Sequence, residues 1–174
     1  PDVQPLDCRR ISEMLSSITQ PQLERYYKLR YDRACKHSDS AVTLSFDSTS
    51  ISTYSNTINA AAWGHAKQNP ELRQVNYMTV CDHATGDVVF ACSFDGSIND
   101  QTILPEIYLR MKFAGLDLTN NILVTDHGFQ SIYNTQTAIN LNLKYIQFLS
   151  LKEGAVKAHL SAAAQTGSVR FDCT

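Results

Sequence analysis

Apolar side chains in the first part of the chain recur every three or four positions, which is the period of a helix. Tyr27 and Tyr31 follow this spacing, and together with their neighbours they predict a helix over 21–37. A shorter helix is predicted over 8–16. We therefore expect residues 1–40 to form a helical arm.

The period changes to strict alternation near residue 41. Val42, Leu44 and Phe46 are apolar and the residues between them are polar, which is typical of a strand with one buried face. Further strands are predicted over 75–82, 88–93, 122–124 and 145–149, and helices over 102–114, 131–140 and 153–165. Three strands followed by helix–strand units predict an α/β fold, with a five-stranded mixed sheet flanked by helices, in a main domain spanning 41–174.

In such a sheet the first and fourth strands can lie side by side and parallel, and their carboxyl ends form a crevice. Asp47 ends the first strand and Asp126 ends the fourth, so two carboxylates 79 residues apart are predicted to be neighbours. Two adjacent carboxylates repel each other unless a proton or cation lies between them, and their hard oxygen atoms suit Mg²⁺ or Mn²⁺. The alternative is that each aspartate only forms a turn or caps a helix.

Composition narrows the class of protein. Hydrophobic residues make up 43% of the chain and charged residues 18%, which is typical of a globular domain. The net charge of −2 does not indicate a strongly basic nucleic-acid binder. No apolar run reaches the roughly 18 residues of a membrane span, so we expect no membrane partner. The chain does not begin with Met, and we expect it to be a piece of a longer protein.

Four segments resemble, in the same order, the motifs of DDE transposases of bacterial insertion sequences, in the insertion-sequence-four-like superfamily. The segments are 44–49 (LSFDST), 64–76 (which begins GHAK and ends PELRQVN), 96–100 (GSIND) and 123–131 (LVTDHGFQS). The first and last resemble the two strands of that family that end in a catalytic aspartate. Together the four segments lie within residues 41–150.

The resemblance implies an RNase H-like catalytic core that cleaves transposon-end DNA and joins the freed 3′-hydroxyl to target DNA. Asp47 and Asp126 match the first two members of the catalytic triad, and each would be a ligand of Mg²⁺ or Mn²⁺. The implied partners are transposon-end and target DNA, with a homodimer in the full-length protein. The expected location is the cytoplasm, in association with the nucleoid.

The third catalytic carboxylate departs from the family pattern, which has a glutamate on a late helix in a Tyr-Arg-Glu-Lys-like setting. Glu153, at the start of the last predicted helix, is one candidate for this role. The other is a glutamate beyond Thr174, in which case the catalytic core is truncated here and this chain alone is inactive. Two alternatives stay open: an inactive, transposase-derived DNA-binding module, or a different RNase H-like nuclease that uses Glu153.

Several charged side chains are candidates for DNA contacts. Lys67 and Arg73 would bind phosphates in the loop before the second strand, or they are ordinary solvated charges. His127, where many relatives have arginine, would contact phosphate when protonated, or it is simply exposed. The arm at 1–40 is either the end of a DNA-binding region or a packing element. Asp100 is predicted to cap the helix that follows it.

Overall fold

The computed structural model describes residues 7–38, 41–64 and 69–149, together with 154, 157 and 161. Its elements, in chain order, are α1 (Cys8–Ser16), α2 (Gln20–Lys36), β1 (Thr43–Thr53), β2 (Arg73–Asp82), β3 (Val88–Asp95), α3 (Asp100–Phe113), β4 (Ile122–Thr125), α4 (Ile132–Asn140) and β5 (Lys144–Gln147). A short 3₁₀ turn, His127–Phe129, lies between β4 and α4. No helix in these described ranges is long and apolar enough to cross a membrane.

The five strands form one mixed sheet in the order β3-β2-β1-β4-β5. β1 pairs antiparallel with β2 and parallel with β4, and β5 is parallel to β4. The predicted α/β class and the predicted five-stranded mixed sheet are confirmed. β1 lies at the centre, where the antiparallel half of the sheet meets the parallel half.

The two N-terminal helices differ in how they attach to this sheet. In α2, Tyr31 and Ala34 are buried in the main core, and the ring of Tyr27 packs 4.9 Å from that of Phe90 on β3. α1 has no buried residue. Of the two roles considered for the arm, α2 therefore fits the packing element. The predicted domain boundary at residue 40 stays a prediction.

Burial alternates along β1 as the sequence pattern predicts. Leu44 and Phe46 point into a core formed with apolar side chains of α2, α3 and the other strands. Asp47 and Thr49, on the opposite face, are exposed. This core is contiguous and contains the largest buried side chains of α3, which are Ile103, Leu104, Ile107 and Met111. One face of β1 therefore stabilises the fold, and the other is available for chemistry.

Two loops pack tightly at the end of the sheet where β2 begins and β3 ends. A Cβ on Gly96 would lie 1.9 Å from the carbonyl oxygen of Gln74, so only glycine fits there. Gln74 is 2% exposed, and its Nε2 donates to the Gly96 carbonyl oxygen at 3.0 Å. These contacts fix the loop that leads from β3 into α3, and therefore the position of Asp100.

Candidate metal centre

The strand register places Asp47 and Asp126 at neighbouring positions of the sheet. The parallel pairing of β1 with β4 ends at Phe46 opposite Thr125, and each aspartate is the next residue of its chain segment. The prediction that Asp47 ends its strand is wrong, because β1 continues to Thr53 along its antiparallel partner β2. The two aspartates still occupy neighbouring positions, because β4 ends beside Phe46 and Asp126 follows directly.

Asp126 is held by the turn that it starts. Its Oδ1 accepts a hydrogen bond from the backbone N–H of Gly128 at 2.9 Å. A Cβ on Gly128 would lie 3.1 Å from that same oxygen, which is tighter than ordinary van der Waals contact. Glycine at position 128 therefore lets the backbone approach and orient the Asp126 carboxylate, whose side chain is exposed.

The charges of both aspartates act on neighbouring side chains. Burial raises the pKa of the Cys81 thiol, and the charge of Asp47 raises it further. Burial likewise raises the pKa of Tyr145, against a lowering hydrogen bond from Thr125, and the charge of Asp126 adds to the rise. In the described ranges neither aspartate forms an ion pair with a cationic side chain. Their negative charge is therefore not balanced by a described protein group.

Two exposed, unbalanced carboxylates fit a hard divalent cation, because Mg²⁺ is commonly held by one or two carboxylates and keeps several water ligands. Asp47 and Asp126 would supply the protein oxygens. Among the residues that the structure describes, no three His, Cys, Asp or Glu side chains come together as a metal site. Any third protein ligand would therefore come from outside the described ranges. Glu153, the candidate from the sequence, lies outside them.

Asp100 is a carboxylate next to this centre whose position differs from the prediction. The cap of α3 is Asn99, whose side chain accepts from the backbone N–H of Gln101 at 3.2 Å, so the prediction that Asp100 caps the helix is wrong. The Asp100 carboxylate instead accepts from Ser48 Oγ at 2.6 Å. Its Oδ2 would lie 3.7 Å from a Cβ on Gly128, on the side of that residue that also faces Asp126.

The loop after Asp126 is fixed to the start of α3 by two further side chains. Pro105 has no N–H to donate to the carbonyl oxygen of Gln101 one turn earlier. Ser131 Oγ donates to that oxygen at 2.6 Å, and Asn134 Nδ2 donates to the carbonyl oxygen of Asp100 at 3.0 Å. The start of α3 therefore contacts both Ser48, the residue after Asp47, and the segment that follows Asp126. A proline inside a helical pattern, here Pro105, is the sequence signal that could have indicated this contact, because the carbonyl oxygen four residues earlier then needs a donor from outside the helix.

The structure describes two of the three predicted DNA-contact residues, and these two lie apart. His127 is exposed and directly follows Asp126. Arg73 pairs with Thr53, six residues beyond Asp47 or about 20 Å along β1. Its guanidinium donates to the Ser55 carbonyl oxygen at 3.0 Å and to Asn56 Oδ1 at 2.6 Å. Lys67 lies outside the described residues. Of the two that the structure describes, His127 is beside the carboxylates and Arg73 is not, and the DNA-binding roles of all three stay predictions.

No protein-family model and no curated protein matches the chain. Among solved structures, it is similar to the Mos1 transposase paired-end complex with left transposon end, at 14% identity and a TM-score of 0.40, over 90% of this chain and 52% of that one. It is also similar to the piggyBac transposase synaptic complex with hairpin DNA, at 12% identity and a TM-score of 0.42, over 86% of this chain and 32% of that one. A third similar structure is Ciona intestinalis Endonuclease V bound to inosine-containing DNA, at 14% identity and a TM-score of 0.35, over 90% of this chain and 72% of that one.

The chain thus spans about half of the Mos1 transposase chain and a third of the piggyBac chain. The function proposed for it therefore rests on its own residues and not on these structures.

Proposed function

We propose that this chain is the core of a DDE-type transposase, which cleaves transposon-end DNA and transfers the resulting 3′-hydroxyl to target DNA. The observation that carries the proposal is the β1–β4 register, which makes the exposed Asp47 and Asp126 neighbours. The resemblance of their two segments to the catalytic strands of insertion-sequence transposases supports it. In the whole protein the partners would be transposon-end and target DNA and a second protomer, in the bacterial cytoplasm.

The residues around the two aspartates would each have a part in this chemistry. Asp47 and Asp126 would hold Mg²⁺ or Mn²⁺, and the Gly128 N–H orients the Asp126 carboxylate. When bound, such ions activate water or a hydroxyl as nucleophile and stabilise the leaving oxygen of a phosphodiester. The hydrogen bond from Ser48 to Asp100 would hold the start of α3 against β1, next to the two metal ligands. His127, when protonated, would neutralise a phosphate of the DNA strand.

Calorimetry with Mn²⁺ and Mg²⁺ tests the two-carboxylate site directly. We expect binding by the unaltered chain and loss of binding in Asp126→Asn. Asp117→Asn is the matched control, because Asp117 precedes β4 and lies at the opposite end of that strand, bonded to Thr119 at 2.7 Å. The absence of Mn²⁺ binding at millimolar metal, or equal binding by the two variants, would contradict the proposal.

Plasmid nicking in Mn²⁺ separates the two sources of the third carboxylate. Nicking by the chain that is lost in Glu153→Gln would assign the role to Glu153 and favour a self-sufficient RNase H-like nuclease. Intact Mn²⁺ binding without nicking would place the third ligand beyond Thr174. We expect the second result, because the Tyr-Arg-Glu-Lys-like setting is missing from this sequence.

A DNA-binding module without activity is the second candidate. It is favoured by one observation, namely that the described residues contain no cluster of three metal-ligating side chains. Salt-dependent DNA binding that is unaffected by Mn²⁺ and by Asp126→Asn would support this candidate over the first.

A further inference from the structure

An exposed aromatic side chain lies directly beside the candidate metal centre. Phe148 is 62% exposed and follows Gln147, the last residue of β5. Its backbone N–H donates to the carbonyl oxygen of Thr125 at 3.1 Å, so the chain is still held against β4 at this point. Thr125 is the residue before Asp126. Since neighbouring strands are about 4.8 Å apart, the backbone of Phe148 lies next to that of Asp126.

Alternation of the side chains places the Phe148 ring on the open face of the sheet, which is the face that carries Asp47. Gln147, the residue before it, is in register with Phe46 across β4, and Phe46 points into the core. Leu149, the residue after it, lines the same cavity against α4 as Gln147 does. Because successive side chains of an extended backbone point to opposite faces, Phe148 is directed away from that cavity and towards the face of Asp47.

The surface around the ring is apolar and carries no charge. Ile146, two residues earlier on the same face, is 51% exposed, and its register partner on β4 is the partly buried Val124. Neither β4 nor residues 145–149 contain a charged side chain. Phosphate recognition normally uses Arg or Lys, so this surface does not favour phosphate. It fits an uncharged group with an apolar face.

The position of this surface beside a carboxylate favours a nucleobase over an apolar protein surface. A protein that covered Phe148 would also take the exposed Asp126 carboxylate out of water, and burial of an unpaired charge is costly. A DNA strand whose phosphate is held by a divalent ion at Asp47 and Asp126 leaves that charge compensated. Its bases each have a π-face that can stack on an aromatic side chain, whatever the sequence.

We propose that Phe148 forms a base-stacking subsite, in which a nucleobase of the DNA strand held at Asp47 and Asp126 stacks on its ring, next to Ile146. This inference rests on the proposed function for the presence of DNA at the aspartates. The stacked base would hold its nucleotide in place beside the reacting phosphate. Because stacking is tolerant of sequence, the subsite adds affinity without selecting one base.

The test compares two single-stranded oligodeoxynucleotides of equal length and with the same number of phosphates. One consists of thymidine nucleotides, and the other is fully abasic. Binding is measured by fluorescence anisotropy with Ca²⁺ as the divalent ion, and gel electrophoresis of the recovered strands verifies that they are intact. Because the phosphate contribution is the same in both strands, a difference in affinity comes from the bases. We expect the unaltered chain to prefer the thymidine strand about 5- to 30-fold, as for one stacked base.

Two variants of Phe148 and one matched control make the assignment specific. Phe148→Ala should remove the preference by weakening the thymidine strand alone, whereas an unfolded variant would lose the affinity for both strands. Phe148→Trp should keep the preference, because an indole ring also stacks. The control is Phe113→Ala, which removes an 81% exposed phenylalanine at the last position of α3, about 20 Å from Asp100 at the other end of that helix. It should leave both affinities unchanged.

The outcomes separate this subsite from the proposed function. Equal affinity of the unaltered chain for the two strands, no binding of either strand, or a preference that persists in Phe148→Ala would overturn the subsite. Self-association of the chain that Phe148→Ala abolishes would assign the ring to a protein interface and would also overturn it. Replacement of Ca²⁺ by EDTA should weaken both strands equally. Affinities that do not respond to Ca²⁺ would count against the proposed function, while the base preference and its loss in Phe148→Ala test the subsite.

Discussion

The two faces of β1 differ in their surroundings and in what their side chains can do. Leu44, on the covered face, is fully buried, whereas Ile51, an apolar residue of similar size on the other face, is 49% exposed. Between them lies Asp47, whose carboxylate points to the open face. A single strand therefore carries both the centre of the core and a candidate metal ligand, separated only by the alternation of its side chains.

The contrast shows why the site tolerates repelling charges. Carboxylates buried without partners would cost several kcal/mol, on the order of the whole stability of a domain. On the open face they remain hydrated, and the covered face supplies the stability that holds them in place. On the covered face, buried Ser48 donates to the Asp100 carboxylate, which lies next to the candidate metal centre. Substitutions on the two faces should therefore separate stability from metal binding, with Ser48 as the exception.

The largest expected effect follows from truncation on the covered face. Leu44→Ala should lower the free energy of unfolding by about 3 kcal/mol, because it removes a fully buried side chain and leaves a cavity. Ile51→Ala, on the open face of the same strand, should lower it by less than half as much. Urea denaturation of both variants measures the difference. Equal losses would mean that the open face is covered as well.

A smaller effect is expected at Ser48, on the covered face next to the candidate metal centre. Ser48→Ala removes the donor to the Asp100 carboxylate at 2.6 Å, and we expect a loss of about 1–2 kcal/mol in the free energy of unfolding. Ser45→Ala is the matched control, since Ser45 lies on the opposite face and bonds the exposed His83 ring at 3.0 Å. That variant should lose at most about 0.5 kcal/mol. A loss in Ser45→Ala as large as in Ser48→Ala would show that the Asp100 contact adds no stability.

Much of this arrangement was predictable from local pattern. The alternation of Val42, Leu44 and Phe46 predicted the covered face of β1, and the helix predicted over 131–140 is α4, which Ser131 caps. The neighbourhood of Asp47 and Asp126 also followed from pattern, because the order of strands and helices limits which strands can be parallel neighbours.

The links between elements were not predictable in the same way. The end of β1 was missed because β2 extends the pairing to Thr53, and pairing length depends on the partner strand. The role of Asp100 was missed because its carboxylate bonds to a serine 52 residues away, while Asn99 provides the cap. The buried Nε2 group of Gln147, which has no hydrogen-bond partner in the structure, has no signal in the sequence, because the pairing of a donor depends on packing.

On the open face, a change of charge should affect metal binding but not folding. Asp47→Asn should change the free energy of unfolding by no more than about 0.5 kcal/mol in EDTA, because the carboxylate is exposed. With free Mn²⁺ at ten times its dissociation constant, the unaltered chain should gain about 1.4 kcal/mol and the variant almost none. Ser45→Ala should keep the gain. A full Mn²⁺ gain in Asp47→Asn would remove this residue from the site.

The smallest expected effect concerns the covered side and is seen only at alkaline pH. Burial against β3 raises the pKa of Tyr27 from 10.0 to about 12, with smaller contributions from Tyr77 and Cys92. Below the unfolded-state pKa, Tyr27 is neutral in both states and its contribution to stability is fully present. As the pH rises through 10 towards 12, the unfolded chain loses the Tyr27 proton first, so the folded state is progressively destabilised.

Tyr27→Phe should therefore reduce the loss of stability between pH about 9 and about 11, measured by urea unfolding at each pH against the unaltered chain. The difference between the two proteins isolates Tyr27 from the other tyrosines, because those are common to both. Its size reports how well α2 shields the phenol from water. An identical pH dependence in both proteins would mean that α2 moves away from β3 often enough to hydrate Tyr27, and that the covered face of the sheet is less closed than the contact with Phe90 indicates.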